Sequence, residues 1–160
     1  MNPRERVMLA LEHKEPDRIP IDLGATIVSS ITKSSYVSLK KHLGVSIDEI
    51  NILDYVQQLP YLDEALLQRF DVDFRMLQLP PAVATGPDIF EEGDYYAFID
   101  RWGSKLHMPK EGGYYFDWVD FPIKKFTLEA LDQYTWPRPP SDEYALLREQ
   151  AKYLYENTDY

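Results

Sequence analysis

The chain has no cysteine among its 160 residues. A disulfide framework, a thiolate nucleophile and a sulfur-ligated zinc are therefore excluded within these residues. Histidine is scarce too, and His13, His42 and His107 stand far apart in sequence, with no metal-ligand spacing among them. No run of 18 apolar residues occurs, and the opening Met1-Asn2-Pro3-Arg4-Glu5-Arg6 lacks the apolar stretch of a secretory signal, so a soluble, cytoplasmic protein is expected. Basic residues are outnumbered, 17 against 27 acidic, and are scattered along the chain. A net charge of −10 repels phosphate backbones, so neither nucleic acid nor membrane is an expected partner.

What is present is apolar and aromatic. Hydrophobic residues make up 44% and aromatics 14%, which removes the chain from the disordered class. A single domain of this length buries about 68–70% of its unfolded surface, enough for a core without covalent staples.

Local patterns give the order of elements. Pro3 suits a first helical turn, and Val7, Ala10 and Leu11 lie at helical spacing in Arg4 to His13; Glu15-Pro16-Asp17 ends that helix. Ile19, Ile21 and Leu23 share one face of a short strand with Asp22 near its C-terminal end. After a hydroxyl-rich loop, a helix runs from about Ser35 to Leu43 and stops at Gly44. Ile50, Leu53 and Val56 suggest helix over 48–59, and Pro60 opens another that carries Leu62, Ala65, Leu66 and Phe70. Asp71 to Leu77 alternates Val72, Phe74 and Met76 with polar residues, the period of a strand. Short strands separated by helices imply an α/β fold with parallel pairing.

Residues 78–93 read as a long loop with three prolines and two glycines, ending in Glu91-Glu92-Gly93 as solvated loop charge. Aromatics then crowd 94–121. Turn signals at Trp102-Gly103 and Pro109 to Gly113 divide this stretch into an antiparallel β-meander with strands near 94–99, 104–108 and 114–119. Thr127 caps a short helix 128–134, Trp136-Pro137-Arg138-Pro139-Pro140 is stiff and extended, and Ser141 caps a helix to about Asn157.

Several of these segments, taken in order, resemble the N-terminal part of the uroporphyrinogen decarboxylase superfamily. They are Arg4-Glu5-Arg6-Val7, Lys14-Glu15-Pro16-Asp17-Arg18-Ile19-Pro20-Ile21-Asp22, Phe70-Asp71-Val72-Asp73-Phe74-Arg75, Asp100-Arg101-Trp102-Gly103, Leu128-Glu129-Ala130-Leu131 ahead of Trp136-Pro137, and Glu156-Asn157-Thr158-Asp159-Tyr160. The resemblance implies that residues 1–160 are the first portion of a (β/α)8 TIM barrel, with 94–121 as an insertion. Such a portion leaves an incomplete sheet or depends on a partner copy as a homodimer. The arginine-rich stretch that meets substrate carboxylates in the decarboxylases is replaced by Leu23-Gly24-Ala25-Thr26-Ile27-Val28-Ser29-Ser30, and their aspartate-bearing segment by Met76-Leu77-Gln78-Leu79. The chain is therefore more similar to the methyltransferase and O-demethylase-like branch. That branch implies methyl transfer from a methoxylated or methylated small molecule to a separate corrinoid protein, with zinc ligands outside these residues. Decarboxylation of a tetrapyrrole or smaller acid, and a non-catalytic binding module built on the aromatic meander, are the alternatives.

Four residues are candidates for substrate binding. Asp22 ends an expected barrel strand, where polar side chains serve either the site or the loop. Asp73 and Arg75 share a strand face, placed to pair with each other or with groups on a neighbouring strand. Trp102 sits beside a turn, as a stacking surface or a core aromatic. Arg18, at a strand start, reads as structural, and His107 as a surface histidine.

Overall fold

The structure, a computed structural model, describes residues 1–78, 86–138 and 141–160, with backbone alone over 141–143. Residues 79–85 of the expected long loop, Pro139-Pro140 and the side chain of the expected Ser141 cap lie outside the described residues.

Helix α1 spans Pro3–Leu11. The Asn2 side chain accepts from the Glu5 amide at 2.8 Å while the Glu5 carboxylate accepts from the Asn2 amide at 3.0 Å, a reciprocal cap, and Pro3 occupies the first turn. Helix α2, Lys33–Leu43, is capped by Thr32 and stopped by Gly44 at φ +65°. Its inner face holds Tyr36 and Lys40 against the start of α3, Glu64–Arg69. The Asp63 amide donates to the buried Tyr36 hydroxyl at 2.9 Å, and the Lys40 ammonium reaches the Asp63 carboxylate at 2.7 Å. Burial pushes the Tyr36 hydroxyl up to about 12.

Residues 48–59 are not helical. They contain the strands β1, Ile52–Asp54, and β2, Leu59–Pro60, paired antiparallel around a tight turn. The Asp54 carboxylate accepts from the Gln57 amide at 2.8 Å and Gln58 takes φ +55°, so turn chemistry overrides the threefold spacing of Ile50, Leu53 and Val56.

The segments 19–23 and 71–77, expected as strands, lie together without forming strands, the second extended only after Asp71, which takes φ +51° in a turn. Among the described residues, Asp73 N–H donates to the Ile21 carbonyl at 2.9 Å, but the Ile21 amide donates to the Asp73 carboxylate at 2.7 Å. A side chain thus takes the place of the carbonyl that would extend a ladder.

A four-stranded antiparallel sheet follows in sequential order: β3, Phe90–Glu92; β4, Tyr95–Ile99; β5, Lys105–Pro109; and β6, Asp117–Asp120. Strand β3 falls where a loop is expected, because Gly93-Asp94 makes a two-residue turn that sets Glu92 opposite Tyr95. β6 begins later than expected because Phe116 leaves the sheet for the core, its amide donating to the Val56 carbonyl at 2.8 Å. Phe98, Leu106 and Phe116 form that core with Tyr55, Val56 and Met108, and Phe98 meets Phe116 edge-on at 4.8 Å.

Helices α4, Leu128–Gln133, and α5, Ser141–Asn157, complete a mixed α/β arrangement of, among the described residues, five α-helices and two sheets; the strands pair antiparallel, not in the expected parallel manner, because each joins its neighbour through a short turn and not through a crossover helix. The Thr127 hydroxyl caps α4. Arg4 donates to the carbonyls of Leu154, Tyr155, Thr158 and Tyr160, fastening α1 to the end of α5.

Candidate active-site cleft

The two extended segments run out into one cleft of about 420 Å³, Gly24 following the first, Met76 near the end of the second and Gln78 just after it. Gln150, Tyr153 and Leu154 of α5 form the facing wall, with Tyr160 beside them. Glu64, Leu67 and Gln68 of α3 supply a third side. Gly24 holds φ +81°, and a Cβ there would lie 2.6 Å from Leu62 Cδ1, so the close approach that shapes this wall needs glycine.

Arg75 enters the cleft already neutralised. Its Nε donates to Glu64 Oε2 at 2.7 Å, its Nη2 to Glu64 Oε1 at 2.8 Å and its Nη1 to the Val72 and Phe74 carbonyls at 2.8 Å, while the guanidinium lies 3.6 Å from the Tyr160 ring centroid. Arg75 holds the Glu64 carboxyl below its ordinary range against the opposing effect of burial. Three amides add neutral polarity. Gln68 Nε2 donates to Glu64 Oε1 at 3.0 Å, and the Gln78 amide N–H donates to Gln150 Oε1 at 3.0 Å. The Gln78 Oε1 atom is buried with no hydrogen-bond partner. A cleft of this size, lined in about equal measure by polar and apolar surface and carrying an ion pair that is already neutralised, suits a small neutral molecule.

Asp73 does not reach Arg75. Its side chain is fully buried and accepts from Arg6, Arg18 and the Ile21 amide. Arg6 also donates to Asp17 at 2.7 and 2.9 Å, and Arg18 to Asp71 at 2.7 Å. Burial pushes the Asp73 carboxyl up, and the bonds from Arg18, Ile21 and Arg6 more than offset it, leaving a net lowering. Asp17 is drawn down to about 2, chiefly by its bond from Arg6. This knot joins α1 to both extended segments, with Arg18 as one of its braces.

The other sequence candidates lie elsewhere. Asp22 is exposed, and its Oδ1 accepts from the Ala25 amide at 3.0 Å, which closes the loop leading through Gly24. Trp102 is 44% exposed on the β4–β5 turn, where its amide donates to Asp100 Oδ1 at 2.9 Å and its carbonyl accepts from the Tyr134 hydroxyl; it lines a separate groove. Glu92 is bonded within the sheet to Lys105 and His107, and Lys105 first, then His107, holds its carboxyl down. It is not solvated loop charge. The His107 ring stacks on Tyr95 at 5.1 Å and is half-buried.

Sequence reasoning passes over Glu64, Gln78, Gln150 and Tyr160. No local motif marks an isolated glutamine, whereas Glu64 and Arg75, eleven residues apart, meet only once α3 folds back against the segment that follows it.

The donor set does not fit zinc. Among the described residues no three His, Cys, Asp or Glu side chains converge, and the carboxylate in the cleft is bonded to Arg75. Comparison with family models, curated proteins and solved structures finds no match to this chain.

Proposed function

We propose that this chain is the N-terminal part of a uroporphyrinogen-decarboxylase-like (β/α)8 enzyme of the methyltransferase branch, its cleft receiving a neutral methoxylated or methylated small molecule. The observation that carries the choice of substrate is the bidentate Glu64–Arg75 pair. A polycarboxylate such as a tetrapyrrole needs uncommitted cations, and the cleft's arginine is already bonded to a carboxylate. The neutral amides of Gln78 and Gln150, beside the apolar side chains of Leu67, Met76 and Leu154, favour an uncharged ligand instead. Support for an unfinished barrel comes from the extended segments 19–23 and 71–77, which lie side by side with Ile19 84% exposed and Leu77 51% exposed, apolar side chains that further strands would cover.

In this reading the cleft's own residues bind and orient. Leu67, Met76 and Leu154 exclude water around the methyl-bearing end, the Gln78 and Gln150 side chains add neutral polarity, and the Glu64–Arg75 pair fixes the wall without adding net charge. The reduced cobalt of a separate corrinoid protein would supply the electron pair that accepts the methyl group as the methyl C–O or C–N bond breaks, the departing oxygen or nitrogen taking up a proton from solvent.

The test compares binding by calorimetry of a neutral methoxylated aromatic with that of an aromatic tetracarboxylate, followed by turnover of a methoxylated panel with a purified corrinoid protein. Binding of the neutral compound and methyl transfer to at least one corrinoid partner are expected. Preference for the tetracarboxylate, or carbon dioxide release without methyl transfer, would support the decarboxylase class instead.

A further inference from the structure

A second groove lies between the Trp102 turn, the stretch after β6 and the end of α4. In a chain of net charge −10, its lining contains Arg101, Lys124 and Lys125 and no carboxylate. Lys124 is met by Asp120, whereas neither Arg101 nor Lys125 meets a carboxylate among the described residues. The Arg101 guanidinium lies 5.7 Å from the Trp102 ring centroid. The Trp102 turn is held in place by the bond from the Tyr134 hydroxyl to the Trp102 carbonyl and by Pro122 packed beside Gly103. An exposed, fixed tryptophan beside two uncompensated cations is the composition of an interaction hot spot.

The surroundings decide what kind of partner fits. Phe126 is 95% exposed and Leu128 81% exposed just beyond Lys125, an apolar area that a small anion seated in the groove would leave uncovered. We propose that this groove and its apolar margin form a docking surface for an acidic segment of another protein, the partner's carboxylates meeting Arg101 and Lys125 and an apolar side chain meeting Trp102. Arg101 and Lys125 attract such a segment locally, against the acidic excess of the chain as a whole. The proposal does not depend on what the cleft binds.

The experiment follows fluorescence anisotropy of a labelled acidic octapeptide, Glu-Asp-Glu-Leu-Phe-Glu-Asp-Glu, titrated with the full chain at low and moderate salt. Binding should weaken by about tenfold on Trp102→Ala and by about tenfold on the double charge reversal Arg101→Glu/Lys125→Glu, and should fall as salt rises. The charge reversals change only exposed side chains, so they test the idea even where Trp102→Ala perturbs the turn. No binding, equal binding of a basic octapeptide, or affinity indifferent to the charge reversals would overturn it. Two further outcomes also refute it in favour of another occupant. One is a wild-type dimer in sedimentation that Lys125→Glu dissolves, which assigns the face to a second copy. The other is binding of inorganic diphosphate that is indifferent to Trp102→Ala and excludes the peptide, which assigns it to a small anion.

Discussion

Replacing Asp73 with alanine tests the knot on which the placement of the cleft depends. The carboxylate is fully buried and accepts four bonds, one from Arg6, two from Arg18 and one from the Ile21 amide. Removing one member of a buried ion pair costs about 3–5 kcal/mol, because the partner charge stays behind without compensation. Here Arg6 keeps Asp17 and Arg18 keeps Asp71, and the Arg18 side chain is 28% exposed, which argues for the lower end, about 3 kcal/mol. That corresponds to roughly a 150-fold rise in the unfolding constant and a fall in Tm of about 6–12 °C for a chain of this size. Urea unfolding followed by far-UV circular dichroism gives the free energy, and a double-mutant cycle with Arg18→Ala isolates the shared part. A loss below about 1 kcal/mol, or no coupling in the cycle, would refute the argument that this carboxylate organises the two extended segments.

The same carboxylates set the acid response. Asp17, Asp73 and Glu64 all have depressed values in the fold, so their contribution is complete above the ordinary carboxylate range near 4 and is lost as pH falls through the folded values, about 2 for Asp17. Unfolding free energy measured from pH 6 to pH 2 should decline across that window, and a flat profile would count against it. Tyr36→Phe leaves the Asp63 amide without its acceptor and should cost about 1–2 kcal/mol by chemical denaturation. Gly24→Ala combines φ +81° with a 2.6 Å approach to Leu62, so it should destabilise by about 1–2 kcal/mol and weaken ligand binding at the cleft; an unchanged affinity would separate that wall from the site.

Legibility in the sequence followed the range of the interaction. α1, α2 and α4 were readable because each is announced by a local cap: Pro3, Gly44 and Thr127 act within one turn of the helix they bound. The hairpin over 52–60 was misread as helix because the carboxylate of Asp54 and the left-handed Gln58 decide the turn, and neither residue type announces such a turn without its geometry. Strand β3 is hidden although Gly93-Asp94 is a hairpin signal, since three prolines and a glycine precede it and its three residues hold no alternating pattern of their own. For the cleft, Arg75 was visible as a candidate, but its partner was not. Asp73 is two residues away on the same face, and only the fold reveals that it turns to Arg6 and Arg18 while Arg75 turns to Glu64. A carboxylate–arginine spacing reports reach, and the choice among reachable partners is made by elements distant in the chain.

Arg4 has a consequence for biosynthesis. Its acceptors lie 150 to 156 residues downstream, so during translation α1 emerges long before the carbonyls that hold it. A nine-residue helix is marginal by itself in water. Until residues 154–160 clear the exit tunnel, the bonds of Arg6 to Asp17 and Asp73 are therefore left to hold α1 alone, and nascent chains stalled before that point should expose α1 to protease more than the longer chain does.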